Sequence, residues 1–487
     1  MIKPLYEDTP PQTRNNISLS VFDKATYDSH MAIIYAFRPP TPPNKAIKVA
    51  LQKVLVVYRE WAGRLGKDDK GEPIILLNDE GVRFIEAYVD GPLDQALLLK
   101  PSATLLSLHP SLKQRVCPRA RDEEKDSFSE MGVVELLQVQ LTRFTCGSLV
   151  VGFTSHHLVA DGHSTSKFLV AWGQACRGLE ISPLPLHDRT IFTPRNPPIF
   201  EFEHKGVEFT SLKTHNLKHN SVDNIVVHKV HYTVEFLAKL KDKASSMNGN
   251  NNKPFTKFES LVAHLWRAIT KSRCLNGHET TQIRISIDGR QRLNPKVSNE
   301  YFGNLVLWAF PSAKVKTLLQ EPLFYAVKLI HDAITKVNNN YFRSFIDFAN
   351  FKVKEENLMT TADMTKTTLC PNLEVDSWLR FPFYDLDFGG GCPVVPGIAK
   401  GITLVTSRHK WLHMADPLWP LAHLSRGMWH GDRGTLACTN QPSSMPQPRL
   451  DTEVGHFEAN EPRPWLLRHL HYCFFQEICS FACIFVK

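Results

Sequence analysis

Leu149-Val150-Val151-Gly152-Phe153 is a short apolar run that opens directly onto His156-His157-Leu158-Val159-Ala160-Asp161-Gly162. A run of this length, preceded by a Cys146-Gly147 turn, predicts a strand buried on both faces. The stretch before the turn, Leu137 to Arg143, alternates Leu137, Val139 and Leu141 with Gln138, Gln140 and Thr142, the pattern of a neighbouring strand. Phe168, Leu169 and Trp172 then predict a helix, with Ser164 or Thr165 as its cap. A buried strand that ends in a polar turn and feeds a helix commits the chain to sheet and helix layers around a core. It also places imidazole and carboxylate side chains at the strand's end.

The same grammar recurs along the chain. Ile47, Leu51, Val54, Leu55 and Tyr58 fall at helical spacing after Asn44, and Gly63 closes that helix. From Ile181 to about Val222 the sequence is proline-rich and aperiodic, as a functional loop or a crossover between domains is. Val226, His228, Val230 and Tyr232 alternate as a strand, and Thr233 caps a following helix. Thr256-Lys257-Phe258-Glu259 is a capping box, followed by Leu261, Val262, Leu265, Trp266 and Ile269 on one face. Ile283, Ile285 and Ile287 alternate again. Strands and helices alternating in two halves predict an α/β protein of two domains. The expected boundaries are 1–180, a crossover at 181–224, 225–398, and an aberrant tail at 399–487.

Composition removes other classes. The chain of 487 residues is 43% hydrophobic and 22% charged, which is globular. Its net charge of +8 comes without a dense Lys/Arg run, so no nucleic-acid partner is expected. The polar, proline-rich opening is not a signal peptide, and no membrane span is expected. The segment nearest to a span, Trp465 to Val486, carries Arg468, His469, His471, Gln476 and Glu477. Ten cysteines without CxxC pairs read as reduced thiols in a cytoplasmic protein.

His157 and Asp161 form HxxxDG at the end of the buried strand. An imidazole held there can act as a general base, because its pKa lies near working pH. An isolated HxxxD string is short, and by itself reads as an ordinary strand end with a buried, hydrogen-bonded histidine. Zinc binding by His156, His157, Asp161 and His163 is disfavoured, since adjacent strand residues point to opposite faces. His156 then lines a wall or core, and His163 sits solvated near the helix start. The stretch Trp378-Leu379-Arg380-Phe381-Pro382-Phe383-Tyr384-Asp385-Leu386-Asp387-Phe388-Gly389-Gly390-Gly391 lacks the GK[ST] of a phosphate loop, and by itself reads as a turn at a domain edge.

HxxxDG in the first half and Asp-Phe-Gly-Xaa-Gly in the second together resemble the plant BAHD acyl-CoA-dependent acyltransferases. Four further segments lie in the family's order. They are Leu19-Ser20-Val21-Phe22-Asp23, Tyr58-Arg59-Glu60-Trp61-Ala62-Gly63-Arg64-Leu65, Phe258-Glu259-Ser260-Leu261-Val262-Ala263-His264-Leu265-Trp266 and Tyr301-Phe302-Gly303-Asn304. The resemblance covers roughly residues 3 to 398. It implies two chloramphenicol-acetyltransferase-like domains, with mixed sheets flanked by helices and an active-site channel between them. Acyl-CoA would be the co-substrate of a monomeric enzyme, with no metal or redox cofactor.

The resemblance makes His157 the base that takes a proton from the attacking group and returns it to the thiolate; Asp387 is grouped with it as catalytic. Asp161 would make a structural salt bridge, with Arg290 as its partner. Leu373-Glu374-Val375-Asp376-Ser377-Trp378 looks most like the amide-forming branch, which makes hydroxycinnamoyl or benzoyl amides of agmatine, tryptamine, tyramine or putrescine. Glu374, Asp376 and Trp378 would then contact the acceptor, because carboxylates on one face of an extended segment suit a cationic amine. Thr256, Lys257 and Arg292 would contact coenzyme A. The alternatives are O-acyl transfer to an alcohol such as shikimate, and a catalytically impaired paralogue or splice product.

Three departures accompany the resemblance. Lys3-Pro4 stands almost at the start, so a first edge strand would be missing. Gly390 occupies the place of the family's DFGWG tryptophan, and with it goes an indole N–H. Residues 399–487, with seven histidines and four tryptophans in no period, depart from the family's closing strands. This tail is expected to be irregular apart from a short helix near Trp465 to Ile484, and activity to be weak or absent.

Overall fold

The computed structural model describes residues 1–7, 15–96, 107–110, 135–211, 225–230, 232–247, 253–362, 370–378, 381–382, 385–393, 395–396, 402–407 and 484–486. The main elements of the first half are β1 (His30–Phe37), α1 (Asn44–Val57), β2 (Arg83–Val89), β3 (Leu137–Phe144), β4 (Leu149–His156) and α2 (Gly162–Cys176). The second half contributes β5 (Ile225–Val230), α3 (Val234–Ser245), α4 (Lys257–Ser272), β6 (Thr280–Asp288), β7 (Val306–Ala309), β8 (Ser312–Lys314), α5 (Leu323–Lys336), α6 (Asn339–Glu355) and β9 (Leu373–Ser377). After it come β10 (Val395–Pro396), β11 (Ile402–Ser407) and β12 (Ile484–Val486).

The first sheet runs β10-β1-β4-β3-β2, with only the β2–β3 pair parallel. Every residue of β4 is buried, as its unbroken apolar sequence requires. β3 differs from its one-sided pattern, because its polar face is covered as well. Gln140 donates to the Ser107 carbonyl at 2.7 Å and Gln138 to Glu135 at 3.2 Å. Ile47, Leu51, Val54 and Leu55 of α1 join Phe168, Leu169 and Trp172 of α2 in one core with Val139, Leu141, Val151 and Phe153. The cap of α2 is Asp161, not Ser164 or Thr165: its carboxylate accepts the Ser164 N–H at 2.9 Å, and the helix starts at Gly162.

The second sheet runs β7-β6-β9-β12-β11-β5, with β8 alongside the start of β6. β6 and β9 are parallel, in the register Arg284 to Glu374 and Ile285 to Val375. One face of this pair is apolar. Ile283, Ile285, Ile287, Leu373 and Val375 bury against Leu261, Val262, Leu265, Trp266 and Ile269 of α4 and against α5 and α6. The opposite face carries Arg284, Ser286, Glu374 and Asp376, with Trp308 of β7 opposite Ser286. Strand alternation therefore gives this sheet one oily and one charged side.

Two expectations change here. The stretch from Leu386 to Pro396, assigned to the second half at 225–398, packs on the first. Leu386 and Phe388 join its core, Phe388 meets Trp172 at 4.9 Å between centroids, and β10 pairs with β1. In the tail, residues 402–407 pair antiparallel with β5, and residues 484–486 bridge β9 and β11. These nine residues are strands where irregular chain was expected. The rest of 408–487, including the helix expected near Trp465, lies outside the described residues.

Candidate active site

The turn after β4 is fastened from three distant parts of the chain. The His157 N–H donates to the Ser29 carbonyl at 2.9 Å. The Asn304 side-chain amide donates to the carbonyls of His157 and Leu158, at 2.9 and 3.3 Å. Asn304 is itself held by the fully buried carboxylate of Asp23, which accepts its backbone N–H at 3.0 Å and its amide at 2.8 Å. Arg189 completes the frame, donating to Asp23 at 2.8 Å and to the Val159 carbonyl at 2.7 Å. Asp23 also closes a capping box with Ser20 at the short helix Val21–Ala25. Sequence reading quoted Asp23 and Asn304 in their motifs but gave them no task, and it overlooked Arg189. The helix-start signal at Ser20-Asp23 was the part a sequence could reveal.

With its backbone fixed, His157 presents a half-buried ring to Thr26 and Tyr27. Nδ1 lies 3.2 Å from the Thr26 hydroxyl, and the Tyr27 ring meets it edge-on at 5.5 Å. In the tautomer whose Nδ1–H donates to Thr26, Nε2 carries the lone pair that a general base needs.

Asp161 is occupied elsewhere. It forms a two-pronged ion pair with Arg290 at 2.9 and 3.1 Å and accepts the backbone N–H groups of Ser164 and Leu305 at 2.9 and 3.0 Å. Both side chains are buried. Burial alone would push this carboxyl up, but the Arg290 guanidinium and these hydrogen bonds outweigh it and hold the pKa below the usual range. Arg290 further donates to Ser164 Oγ at 2.8 Å and Asp288 at 3.1 Å, so the HxxxDG turn and the second half share one buried polar joint.

The charged face of β6 and β9 meets Tyr27. Its hydroxyl donates to Glu374 Oε1, while Ser286 donates to Asp376 Oδ1. Glu374 is buried and Asp376 is half-buried. Arg284, beside Glu374 in register, stacks on Trp308 at 4.0 Å and lies 5.3 Å from the Tyr27 centroid. Burial pushes the Tyr27 hydroxyl well above its ordinary pKa, so it stays a neutral donor. Trp378, at the end of this strand, packs on the first half's core. One aromatic ring thus links the imidazole to Glu374.

The other expected site residues go elsewhere. Asp387 accepts the N–H groups of Gly389 and Gly391 at 2.7 and 2.9 Å and faces Arg177 at 3.4 Å, next to Gly173 near the end of α2. His157 precedes the other end of that helix, whose span from Gly162 to Gly173 is roughly 16 Å at 1.5 Å per residue. Asp387 shapes its own turn and is not brought to the imidazole. A Cβ on Gly390 would stand 1.9 Å from the Pro40 carbonyl oxygen, so this packing has no room for a tryptophan. Thr256 spends its hydroxyl on the capping box with Glu259, at 2.7 and 3.1 Å. Arg292 donates to the Ile334 and Val337 carbonyls at the end of α5. Of the three residues proposed for coenzyme A, Lys257 is an exposed cation without such a task among the described residues.

His156 stacks edge-on against His30 at 4.6 Å, and burial pushes its pKa down to about 3, so it is a neutral wall residue. His163 is tied to the Asn299 carbonyl at 2.9 Å. Among the described residues no three His, Cys, Asp or Glu side chains gather to hold a metal ion. No helix among them is long and apolar enough to cross a membrane.

The family model described as "Transferase family" matches residues 1–402. Agmatine hydroxycinnamoyltransferase 1 of Oryza sativa subsp. japonica is 46% identical over 405 residues, covering 80% of this chain and 86% of that protein. Putrescine hydroxycinnamoyltransferase of the same plant is 46% identical over 418 residues, covering 81% and 87%. In fold the chain is similar to the crystal structure of vinorine synthase, with a TM-score of 0.58 at 21% identity, covering 80% and 86%. The chain belongs to the Transferase family, as an acyl-CoA-dependent acyltransferase of the BAHD kind.

Proposed function

We propose that this enzyme transfers a hydroxycinnamoyl or benzoyl group from coenzyme A to the nitrogen of a small biogenic amine. The observation that supports the reading is Tyr27, whose ring meets His157 and whose hydroxyl donates to Glu374, with Asp376 two residues on along the same strand face. The carboxylates hold a cationic end of the acceptor and leave another nitrogen at the imidazole. That nitrogen attacks the thioester carbon, and His157 takes its proton as the C–N bond forms. Collapse of the tetrahedral oxyanion breaks the C–S bond, and the proton goes to the thiolate. Asp161 and Arg290 act as structure, keeping the turn in place. Lys257 remains the candidate contact to the anionic part of coenzyme A. We read the chain as a cytoplasmic monomer, with two functional halves joined by the crossover at 181–224.

Mass-spectrometric product detection with a panel of acyl-CoAs and amines tests the activity. Amides should form, and the Glu374→Gln/Asp376→Asn double variant should lose at least about tenfold in kcat/KM for amines. Esters of shikimate in place of amides, or amine turnover that survives the double change, would overturn the assignment.

A further inference from the structure

Arg284 is as buried as any core residue, at 1% exposure, yet it makes no ion pair among the described residues. Its Nη1 donates to the Ala362 carbonyl at 3.2 Å, while Nε and Nη2 find no acceptor among the described residues. A buried guanidinium costs stability unless its charge is used, and stacking on Trp308 returns only part of that cost. What surrounds it identifies the use. Arg284 stands in register with Glu374 on the charged face of the sheet, two residues from Ser286, which binds Asp376. The charged groups acting on the Tyr27 hydroxyl are Arg284, Glu374 and Asp376. Asp288, farther along the same face, is bound to Arg290, whose charge it shares with Asp161.

We propose that Arg284 is a specificity-determining residue of the acceptor pocket. Its guanidinium offsets one of the two carboxylates, so the pocket keeps one net negative charge and selects amines with a single cationic group besides the reacting nitrogen. This rests on the amine-acylating reading above and says which amines that site takes. An arylalkyl monoamine brings no second cation and leaves the net charge unanswered. A triamine brings two and meets the Arg284 guanidinium.

The test compares kcat/KM for tyramine, putrescine and spermidine, which carry none, one and two further cations, at a fixed acyl-CoA. Wild type should prefer putrescine. Arg284→Met should raise the spermidine-to-putrescine ratio about ten- to thirtyfold, the effect of a unit charge roughly 8 Å away at an effective dielectric constant near 20. Arg284→Met/Glu374→Gln, which restores one net negative charge, should bring the ratio back. Arg284→Lys keeps the charge and should keep the wild-type ratio, which covers the case in which the Met variant does not fold. A ratio within about twofold of wild type in folded Arg284→Met, no return in the double variant, or a Lys variant that shifts as Met should, each overturns the inference while leaving amine acylation standing. A wild-type enzyme that acylates no amine overturns both.

Discussion

His157 and Asp161 lie four residues apart in one turn, yet the imidazole faces Thr26 and Tyr27 while the carboxylate is sealed among Arg290, Ser164 and Leu305. Replacing His157 therefore removes a reacting group and little packing. His157→Ala should lower kcat on the order of 10²- to 10⁴-fold, with a thermal midpoint close to wild type, because the turn is held through backbone carbonyls that Asn304 and Arg189 still reach. Steady-state kinetics beside thermal unfolding checks this; an unchanged kcat would remove the mechanism. The histidine was legible because a buried strand that ends in a polar turn is a local pattern. Asp23, Arg189 and Asn304 were not, because they meet across 166 and 281 positions of sequence separation, and no single-chain spacing encodes that. Arg284 was hidden for the opposite reason: a lone arginine in an alternating strand reads as a solvated face.

At the scale of elements, the sequence twice carried two signals at one place, and the local one prevailed. Thr256 was legible both as a helix cap and as a basic-region contact to coenzyme A, and its hydroxyl is fully engaged with Glu259. Thr256→Ala should then cost about 1 kcal/mol of stability and leave the KM for acyl-CoA within error of wild type. Denaturant unfolding and acyl-CoA saturation curves read the two arms, and a large rise in KM would return Thr256 to the substrate site. The other place is Asp387, where a motif invited a catalytic reading but the glycines around it demanded a turn. Gly173 and Gly390 lie so close to the Asp387 and Pro40 backbones that a Cβ on either would clash. Ile402–Ser407 is a strand within a tail expected to be irregular: Ile-Thr-Leu-Val-Thr is strand-like by composition, but the residues that follow it carry no strand period.

Among the described residues, polar joints tie the two halves beside shared apolar packing such as Phe22 on Phe342 and Phe345. Asp161 with Arg290 and Asp23 with Asn304 tie the halves at the site, and the crossover is pinned along its described part. His187 pairs with Glu60 at 2.6 Å, Arg189 with Asp23 at 2.8 Å and Arg195 with Asp347 at 2.7 Å. The aperiodic, proline-rich sequence of 181–222 announced a crossover but could not reveal these anchors, since each partner lies in another element. The first anchor gives the enzyme a pH signature. Burial alone would lower the His187 pKa, but the Glu60 carboxylate outweighs it and raises the value; Glu60 in turn is held below the usual carboxyl range against its own burial. A raised histidine pKa adds stability that is fully present below the unfolded value near 6.5 and is lost as the pH climbs through the folded value. A lowered carboxyl pKa adds stability that is present above about pH 4.5 and is lost on acidification. The pair therefore contributes most between roughly pH 5 and 6.5. The thermal midpoint of His187→Gln should fall furthest below wild type near pH 6, and the gap should narrow as the pH rises through the raised histidine pKa. A gap that stayed constant across that range would mean that His187 acts by packing against Tyr58 and Phe302 and not by its charge.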